Sequence, residues 1–446
     1  VVRLSGTIHR GGLWDGQGQR PGGKWFPWSA VRQADRTGTT KVDTTKAELP
    51  TQRGAVNYPL VGFGWTDPPD TGSIIFRHAT VWTNSAQGIL RNADVFIHEG
   101  KVRAVGNDLD VAVLFPGRHK PTITEVNATG KHITCGIVDE HSHIAISKGV
   151  NEGSQNNTAE VRIGDVVNPD DVNIYRALAG GVTTAQLLHG SANPIGGQSA
   201  LIKLRWGHDA NSLLIENAPK HIKFALGENV KQSNSNAKAG RFPQSRMGVE
   251  QVFVDAFLRA KRYDVEWRSW QAAKPKYRGD TPRRDLELET LVEILNGERN
   301  ITCHSYVQSE IAMLLHVADS LGFRVNTFTH VLEGYKVAKR IAYHGTNAST
   351  FSDWWGYKFE VNDAIPYNAA LLNDAGVNTG INSDDAEMCR RLNQEAAKTV
   401  KYGGVSEEEA WKMVTLNPAK MLKLDQRIGS VEPGRDADIV VWSDNP

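Results

Sequence analysis

The chain has 446 residues, of which 40% are hydrophobic and 23% are charged, and its formal net charge is +1. This composition is typical of a globular protein, and the near-neutral charge predicts binding neither to nucleic acid nor to an anionic membrane surface. No apolar run is long enough to span a bilayer, and the widely separated Cys135, Cys303 and Cys389 predict neither a disulfide framework nor a zinc finger.

The first residue is Val1 rather than Met, and no signal peptide is visible. We therefore expect a processed chain or a part of a larger one, and a homo-oligomer is also compatible with the sequence. Three free thiols fit a cytoplasmic protein without excluding an exported, periplasmic one, so the sequence leaves the location open.

The two ends of the chain differ from its middle in composition and in sequence periodicity. Residues 1–73 are rich in Gly, Pro and Trp and show no sustained period, so we predict an extended N-terminal arm whose tryptophans pack against another surface. Residues 74–134 and 427–446 both consist of short β-rich runs separated by turn residues. Because neither piece can bury its apolar face alone, we predict that they pair into one composite β-sandwich domain.

Residues 135–426 alternate between strand-like and helix-like segments, which predicts an α/β fold with a (β/α)8 TIM-like barrel. The predicted strands include Gly181–His189, Ser199–Leu204, His221–Glu228, Asn300–His304, Phe323–His330, Ile341–Gly345 and Val377–Asp384. The predicted helices include Val172–Ala179, Val249–Arg262, Leu286–Leu295, Ser309–Leu321 and Tyr335–Arg340. The link between His189 and Ser199 is too short for a helical crossover, which predicts a hairpin at Gly197–Leu214 and a distorted barrel there.

The segment ITCGIVDEHSH, residues 133–143, is the first chemical signal. It starts as an apolar, β-branched run and ends in His141 and His143. Residues i and i+2 of a strand point to the same side, so two imidazoles can address a single point. Imidazole nitrogen is a common ligand for zinc and similar divalent metals. Taken alone, the pair also fits two surface histidines at a strand end.

Three further predicted strands end in potential ligands. These are His304, His330, and Asp384 with its neighbour Asp385. In a barrel all strand C-termini converge on one face, where active sites are built. Each histidine alone fits an ordinary core or surface position, but together with the His-Ser-His motif they predict a metal centre at the barrel mouth.

The predicted strand at residues 221–228 supplies one more candidate. Alternation places Ile222, Phe224 and Glu228 on one side, and if that apolar side fills the barrel, Glu228 lies at the top of the strand. Lys223 is the rival, because a carboxylated lysine can bridge two metals, but it alternates to the other face and lies lower. We favour Glu228, for which a helix-capping or solvated carboxylate is the plain alternative.

The order of these ligands (His-Ser-His, an acidic residue, His, His and Asp) resembles that of the metal-dependent amidohydrolase superfamily. The segments GKHITCGIVDEHSH and TLNPAKMLKLDQRIGSVEPGRDADIVVW resemble its opening and closing segments, and the resemblance covers roughly residues 74–446. It is nearest to the imidazolonepropionase-like and prolidase-like branch. Cys135 stands where the family usually has Pro, and residues 1–73 have no counterpart.

The resemblance implies hydrolysis of an amide or cyclic amide bond by metal-activated water, with one or two divalent ions, for which zinc is the favoured choice. The implied metal ligands are His141, His143, Glu228, His304, His330 and Asp384. Asp384 is also the implied proton-transfer residue, because the family's aspartate directly follows Ser or Thr, here Ser383. The substrate would be a small molecule or a short peptide. A mononuclear deaminase on the same scaffold and a non-catalytic barrel module of a larger protein are the alternatives.

Overall fold

A computed structural model describes residues 2–33, 62–64, 72–114, 122–231, 240–354 and 356–446. The chain divides into two compact units, Val1–Ala55 and Val56–Pro446. Among the described residues, no helix is both long and apolar enough to cross a membrane.

The N-terminal unit contains an antiparallel sheet of three strands, β1 (Arg3–Ile8), β2 (Leu13–Gln19) and β3 (Trp25–Val31). The first part of the predicted arm thus forms a sheet, and most of its remainder lies outside the described residues. Glycines interrupt the alternating pattern of these strands, and a Cβ at Gly16 would lie 2.0 Å from the Ser5 carbonyl oxygen. Because glycine carries no side chain to mark a face, the sheet leaves no period-two signal in the sequence.

The second unit begins with a β-rich segment that the last strand of the chain joins. Its strands are β4 (Ser73–Trp82), β5 (Ile89–His98), β6 (Lys101–Gly106), β7 (Ile123–Asn127), β8 (His132–Cys135) and β18 (Ile439–Trp442), and a short helix α1 (Val111–Leu114) follows β6. The sheet order is β18-β8-β4-β5-β6, with β7 beside β4. Both ends of the predicted composite domain thus contribute to one sheet, whereas the topology of the described strands does not confirm a sandwich.

The middle of the chain alternates between strands and helices. The strands are β9 (Ile137–Ser142), β10 (Val182–Leu187), β11 (Ile195–Gln198), β12 (Ala200–Lys203), β13 (Lys220–Ala225), β14 (Arg299–Ser305), β15 (Val325–His330), β16 (Asn347–Thr350) and β17 (Thr379–Ile381). The helices are α2 (Val172–Ala179), α3 (Ala210–Leu213), α4 (Arg246–Ala272), α5 (Leu286–Leu295), α6 (Gln308–Leu321), α7 (Gly334–His344), α8 (Asn368–Asp374), α9 (Ala386–Cys389), α10 (Leu392–Gly403), α11 (Glu407–Lys412) and α12 (Leu416–Met421).

These strands form two mixed sheets, with the orders β12-β10-β9 and β11-β13-β14-β15-β16-β17. Strands β13 to β17 are parallel neighbours, which confirms the α/β class, but the described strands do not close into the predicted barrel. The interruption lies at Ser199, because β11 pairs antiparallel with β13 while β12 pairs antiparallel with β10. The short link after β10 contains no crossover helix, so β12 can pair with β10 only in the antiparallel direction.

One predicted strand is wrong. Residues 341–344 belong to α7, which ends with Gly345 in the left-handed conformation at φ 69°, and the strand that follows is β16. A short apolar run at the end of an amphipathic helix cannot be told from a buried strand by periodicity alone. Gly345 indicated the end of this helix, since glycine at positive φ commonly terminates a helix.

Helix α4 covers one face of β13. Ile222 and Phe224 belong to an apolar cluster with Phe253 and Phe257 of that helix, and the ring centroids of Phe224 and Phe253 are 5.4 Å apart. Burial of side chains of this size stabilises a fold by roughly 1.5–3 kcal/mol each. The apolar face of β13 is therefore fixed toward the helix layer, and the opposite face is left for the interior of the sheet.

A cluster of ion pairs joins the β-rich segment to β12. The carboxylate oxygens of Asp436 lie 2.5 Å from Lys101 Nζ and 2.5 Å from Lys203 Nζ, and Asp438 Oδ2 lies 2.9 Å from the same Lys203 ammonium. Burial alone would raise the pKa of Asp436, but hydrogen bonds from the two lysines lower it to about 2. Burial raises the pKa of Asp438.

We expect Asp436→Asn to destabilise the fold in a pH-dependent way. A carboxylate whose pKa is lowered by folding stabilises the fold above its unfolded pKa, and this contribution is lost as the pH falls through the folded pKa. The fall from 3.8 to about 2 corresponds to about 2 kcal/mol at neutral pH. Between about pH 4 and about pH 2 the difference in unfolding free energy between the two proteins should shrink.

Urea unfolding of both proteins at a series of pH values measures this difference. A difference that stays constant from neutral to acid pH would contradict the ion-pair assignment.

Candidate metal centre

Five of the six predicted ligands lie together at the C-terminal ends of strands. His141 lies in β9 and His143 directly follows that strand. His304 lies at the end of β14, His330 is the last residue of β15, and Asp384 follows β17. Since β14, β15, β16 and β17 are parallel neighbours, their C-terminal ends meet at one edge.

Asp384 contacts three of the four histidines. Its Oδ1 is 3.1 Å from His143 Nε2 and 3.3 Å from His141 Nε2, and its Oδ2 is 3.6 Å from His330 Nε2. Ligand atoms of His141, His330 and Asp384 all lie within 4.8 Å of one another. The ring centroid of His304 is 4.9 Å from that of His330. Imidazole nitrogens and a carboxylate at this spacing suit a divalent cation such as zinc.

Several ring nitrogens of this cluster have no hydrogen-bond partner. Both nitrogens of His304 and Nε2 of His330 are buried without one among the described residues. Buried polar atoms are nearly always satisfied in native proteins, so each exception needs a physical explanation. A cation bound between these nitrogens would supply one, and the donor set therefore fits a metal.

Outer hydrogen bonds fix the tautomer of two imidazoles. His143 Nδ1 lies 2.9 Å from the Leu188 carbonyl oxygen, and His330 Nδ1 lies 3.1 Å from Asn382 Oδ1. Both partner oxygens can only accept a hydrogen bond, so each Nδ1 carries the proton and each Nε2 keeps its lone pair. The lone pairs are thus on the nitrogens that approach Asp384.

Burial keeps the imidazoles neutral. It lowers the pKa of His141 and His304 well below the ordinary value and lowers that of His330 to about 4. Neutral imidazole is the form that binds metals. Burial alone would raise the pKa of Asp384, but the adjacent His141 and His330 lower it well below its usual range, so this carboxylate is ionised at neutral pH.

Two members of the cluster have strained backbones. His330 has φ 72° and Asp384 has φ 51°, and residues other than glycine rarely adopt this left-handed region. Such strain costs about 1–3 kcal/mol per residue and persists where the surroundings impose it. Here the Asp384 N–H donates to the His141 carbonyl oxygen at 3.1 Å, and Ser383 Oγ donates to Asp139 at 2.5 Å. These two bonds tie the end of β17 to β9.

The sixth predicted ligand, Glu228, makes a different contact. Its carboxylate lies 3.3 Å from Lys358 Nζ. Lys223, the rival on the same segment, is fully buried instead, and its Nζ lies 3.0 Å from His141 Nε2. Burial lowers the pKa of Lys223 to about 8. The geometry therefore favours Lys223 over Glu228 as the member of the cluster from β13.

The preference for Glu228 depended on an alternation that the chain does not continue. Strand β13 ends at Ala225, so the strand period does not reach Glu228. The apolar residue Phe224 packs on α4 rather than filling the interior, which turns Lys223 toward His141. The long aliphatic stem of a lysine also offsets its lower position on the strand.

Two buried carboxyl groups were not predicted as part of this region. Asp139 and Glu140 lie in the same motif as His141 and are fully buried, and Glu140 accepts a hydrogen bond from Ser349 of β16. Burial raises the pKa of Asp139 to about 6 and that of Glu140 to about 8. The sequence indicated them, because burying two adjacent acidic side chains in an apolar strand costs free energy unless hydrogen-bond partners are present.

The chain is similar in sequence and in structure to known amidohydrolases. The sequence model of the amidohydrolase family matches residues 303–446. A solved amidohydrolase from Thermotoga maritima is 32% identical, with a TM-score of 0.74 over 83% of this chain and 94% of that one.

Two curated proteins are also similar. Amidohydrolase tasK from Hapsidospora irregularis is 31% identical over 381 residues, which is 79% of this chain but 38% of the relative, so this chain spans little more than a third of that protein. Imidazolonepropionase from Picrophilus torridus is 45% identical over 81 residues, which is 18% of this chain and 21% of the relative.

The similarity to the Thermotoga structure supports the family assignment, because it extends over nearly all of that protein and most of this one. The match to imidazolonepropionase agrees with the resemblance that the ligand order and the two flanking segments indicated. The chain belongs to the amidohydrolase family.

Proposed function

We propose that the protein is a metal-dependent hydrolase that cleaves the C–N bond of an amide or cyclic amide with an activated water molecule. One observation carries this proposal. The ionised Asp384 lies against Nε2 of His141, His143 and His330, and Nε2 of His330 and both nitrogens of the neighbouring His304 are buried without a partner among the described residues. Membership of the amidohydrolase family supports the reaction class.

The proposed ligand set differs from the predicted one at a single position. Its members are His141, His143, Lys223, His304, His330 and Asp384. Zinc is the favoured ion, because imidazole nitrogen and carboxylate oxygen both suit it. When bound, it would lower the pKa of a water molecule toward 7 and polarise the carbonyl group of the substrate.

Lys223 can serve as a ligand only after a chemical change, because an ammonium group repels a cation. Its pKa of about 8 leaves part of the amine uncharged near neutral pH. An uncharged amine adds to carbon dioxide, which forms an N–C bond and releases one proton. The resulting carbamate has two oxygens beside His141, the type of ligand that the sequence led us to seek at Glu228.

Asp384 is the proposed proton carrier. Its side chain is 24% exposed while those of His141 and His330 are fully buried, so its carboxylate can reach both the cluster and an incoming substrate. It accepts the proton that the water loses as its oxygen bonds to the carbonyl carbon. It then delivers this proton to the nitrogen as the C–N bond breaks.

We expect Asp384→Asn to lower turnover ~10²-fold or more, because the amide keeps an oxygen in place but cannot accept a proton at neutral pH. The substrate for this measurement comes from a screen of N-acyl amino acids, dipeptides and cyclic ureas with zinc-reconstituted protein. Metal analysis of both purified proteins should find one or two equivalents in the wild type and a modest loss in the variant.

Asp385→Asn is the matched control. Asp385 caps the N-terminus of α9 by accepting from the backbone N–H groups of Glu387 and Met388, and asparagine caps helices about as well as aspartate. Turnover should therefore change little. Unchanged turnover in Asp384→Asn would reject the proposed mechanism, and equal losses in both variants would mean that the two aspartates act as one unit.

We expect Lys223→Gln to bind less zinc than the wild type, and Glu228→Gln to bind as much. The first change removes the amine that can be carboxylated, whereas the second only removes a partner of Lys358. Metal analysis after reconstitution in bicarbonate measures the zinc. In ¹³C-bicarbonate, a carbamate signal should appear in wild type and Glu228→Gln but not in Lys223→Gln. If only Glu228→Gln loses zinc, then Glu228, which the sequence favoured, is the ligand and Lys223 is not.

A further inference from the structure

Three hydrogen bonds connect His330 to a buried carboxyl group. His330 Nδ1 lies 3.1 Å from Asn382 Oδ1, Asn382 Nδ2 donates to Ser349 Oγ at 2.6 Å, and Ser349 Oγ donates to Glu140 Oε1. All four side chains belong to fully buried residues. The bonds therefore form a relay, Glu140–Ser349–Asn382–His330, that water does not interrupt.

The direction of each bond in the relay follows from the one before it. Ser349 Oγ donates its single hydrogen to Glu140 Oε1. Ser349 Oγ can then only accept from Asn382, which turns the amide nitrogen toward Ser349 and Oδ1 toward His330. An amide oxygen also can only accept, so His330 carries its proton on Nδ1 and keeps a lone pair on Nε2.

We propose that Glu140 is a positioning residue that acts through Ser349 and Asn382 to hold His330 in the tautomer whose Nε2 can bind a metal. The role of the metal rests on the proposed function, whereas the tautomer is a property of the metal-free protein. Glu140 Oε2 is buried without a partner among the described residues, so the described hydrogen bonding of this side chain is its contact with Ser349.

Loss of the carboxyl group would leave the relay without a fixed direction. The Ser349 hydroxyl could then donate to Asn382, and the amide could turn so that its nitrogen faces His330 Nδ1. His330 would have to offer a lone pair at Nδ1 and carry its proton on Nε2. That proton would occupy the position at which a cation must bind.

The test is the tautomer of His330 in zinc-free protein that carries ¹⁵N-labelled histidine, with the His330 signals assigned by their loss in His330→Gln. The wild type should show the proton on Nδ1, and Glu140→Ala should show a mixture or the proton on Nε2. Zinc affinity, measured by competition with a chelating dye, should fall roughly 10- to 100-fold, the scale for loss of a group that orients a metal ligand. Ser349→Ala breaks the same relay with a smaller change, and it should shift the tautomer in the same way if Glu140→Ala does not fold.

The Asn382→Asp background separates positioning from general damage. A carboxylate at this position accepts from His330 Nδ1 whatever Ser349 does, so Glu140→Ala should alter neither the tautomer nor the zinc affinity in that background. Damage to packing would instead reduce the affinity equally in both backgrounds, and that result would overturn the proposal.

Glu395→Ala is the matched control. Glu395 is also buried and accepts a hydrogen bond from a serine, Ser352 Oγ, at 2.5 Å, but it is not one of the ligands or relay residues. Its loss should leave the His330 tautomer unchanged. A wild-type His330 with its proton on Nε2, or an unchanged tautomer in Glu140→Ala, would overturn the relay. A relay that behaves as expected in a protein without zinc affinity would overturn only the metal-dependent function.

Discussion

The removal of water from the ends of the parallel strands is the constraint on which this site depends. His141, His304 and His330 are at most 2% exposed, and burial disfavours the charged form of an imidazole. A neutral imidazole has one nitrogen that donates and one that accepts, and without water its orientation is set by protein partners. The outer hydrogen bonds of these rings therefore decide what the cluster presents at its centre.

The same constraint distinguishes two buried lysines. Lys203 has carboxylate oxygens of Asp436 and Asp438 within 2.5 and 2.9 Å, and these ion pairs hold two parts of the fold together. Lys223 has a neutral imidazole as its neighbour at 3.0 Å, and burial lowers its pKa to about 8. Burial outweighs the attraction of Asp384 and Glu140, so this lysine can lose its proton and become available for chemistry.

Residue type and strand periodicity were enough to predict which residues of the site lie together. His141, His143, His304, His330 and Asp384 could be placed together because each lies at the end of a β-rich segment, and parallel strand ends converge. Period alone could not say which side of a strand the helix layer covers. The apolar side of β13 faces α4, so Lys223 rather than Glu228 lies beside His141, and the local pattern does not show this.

The sequence also could not predict that the described strands do not close into a barrel, for a related reason. Strands β11 and β12 both run antiparallel to their neighbours, and the partner changes at Ser199 from β13 to β10, whereas the sequence showed only that a crossover helix was missing. Which strands these segments join depends on pairings with β10 and β13, the strands before and after them in the chain. Local propensity carries no information about such partners, because pairing is decided by long-range packing.

Hydrogen-bond direction is the property of the site that the sequence predicts least well. Within the motif Glu140 looks like one more acid beside a histidine, and its significance comes from Ser349 and Asn382 on other strands. Ser349 has a single hydrogen to give, so its donation to Glu140 fixes the direction of the other two bonds up to His330. The tautomer of a buried histidine is thus specified by residue type together with the last acceptor in its hydrogen-bonded chain. The convergence of the strands β9, β15, β16 and β17 is what brings that acceptor within reach.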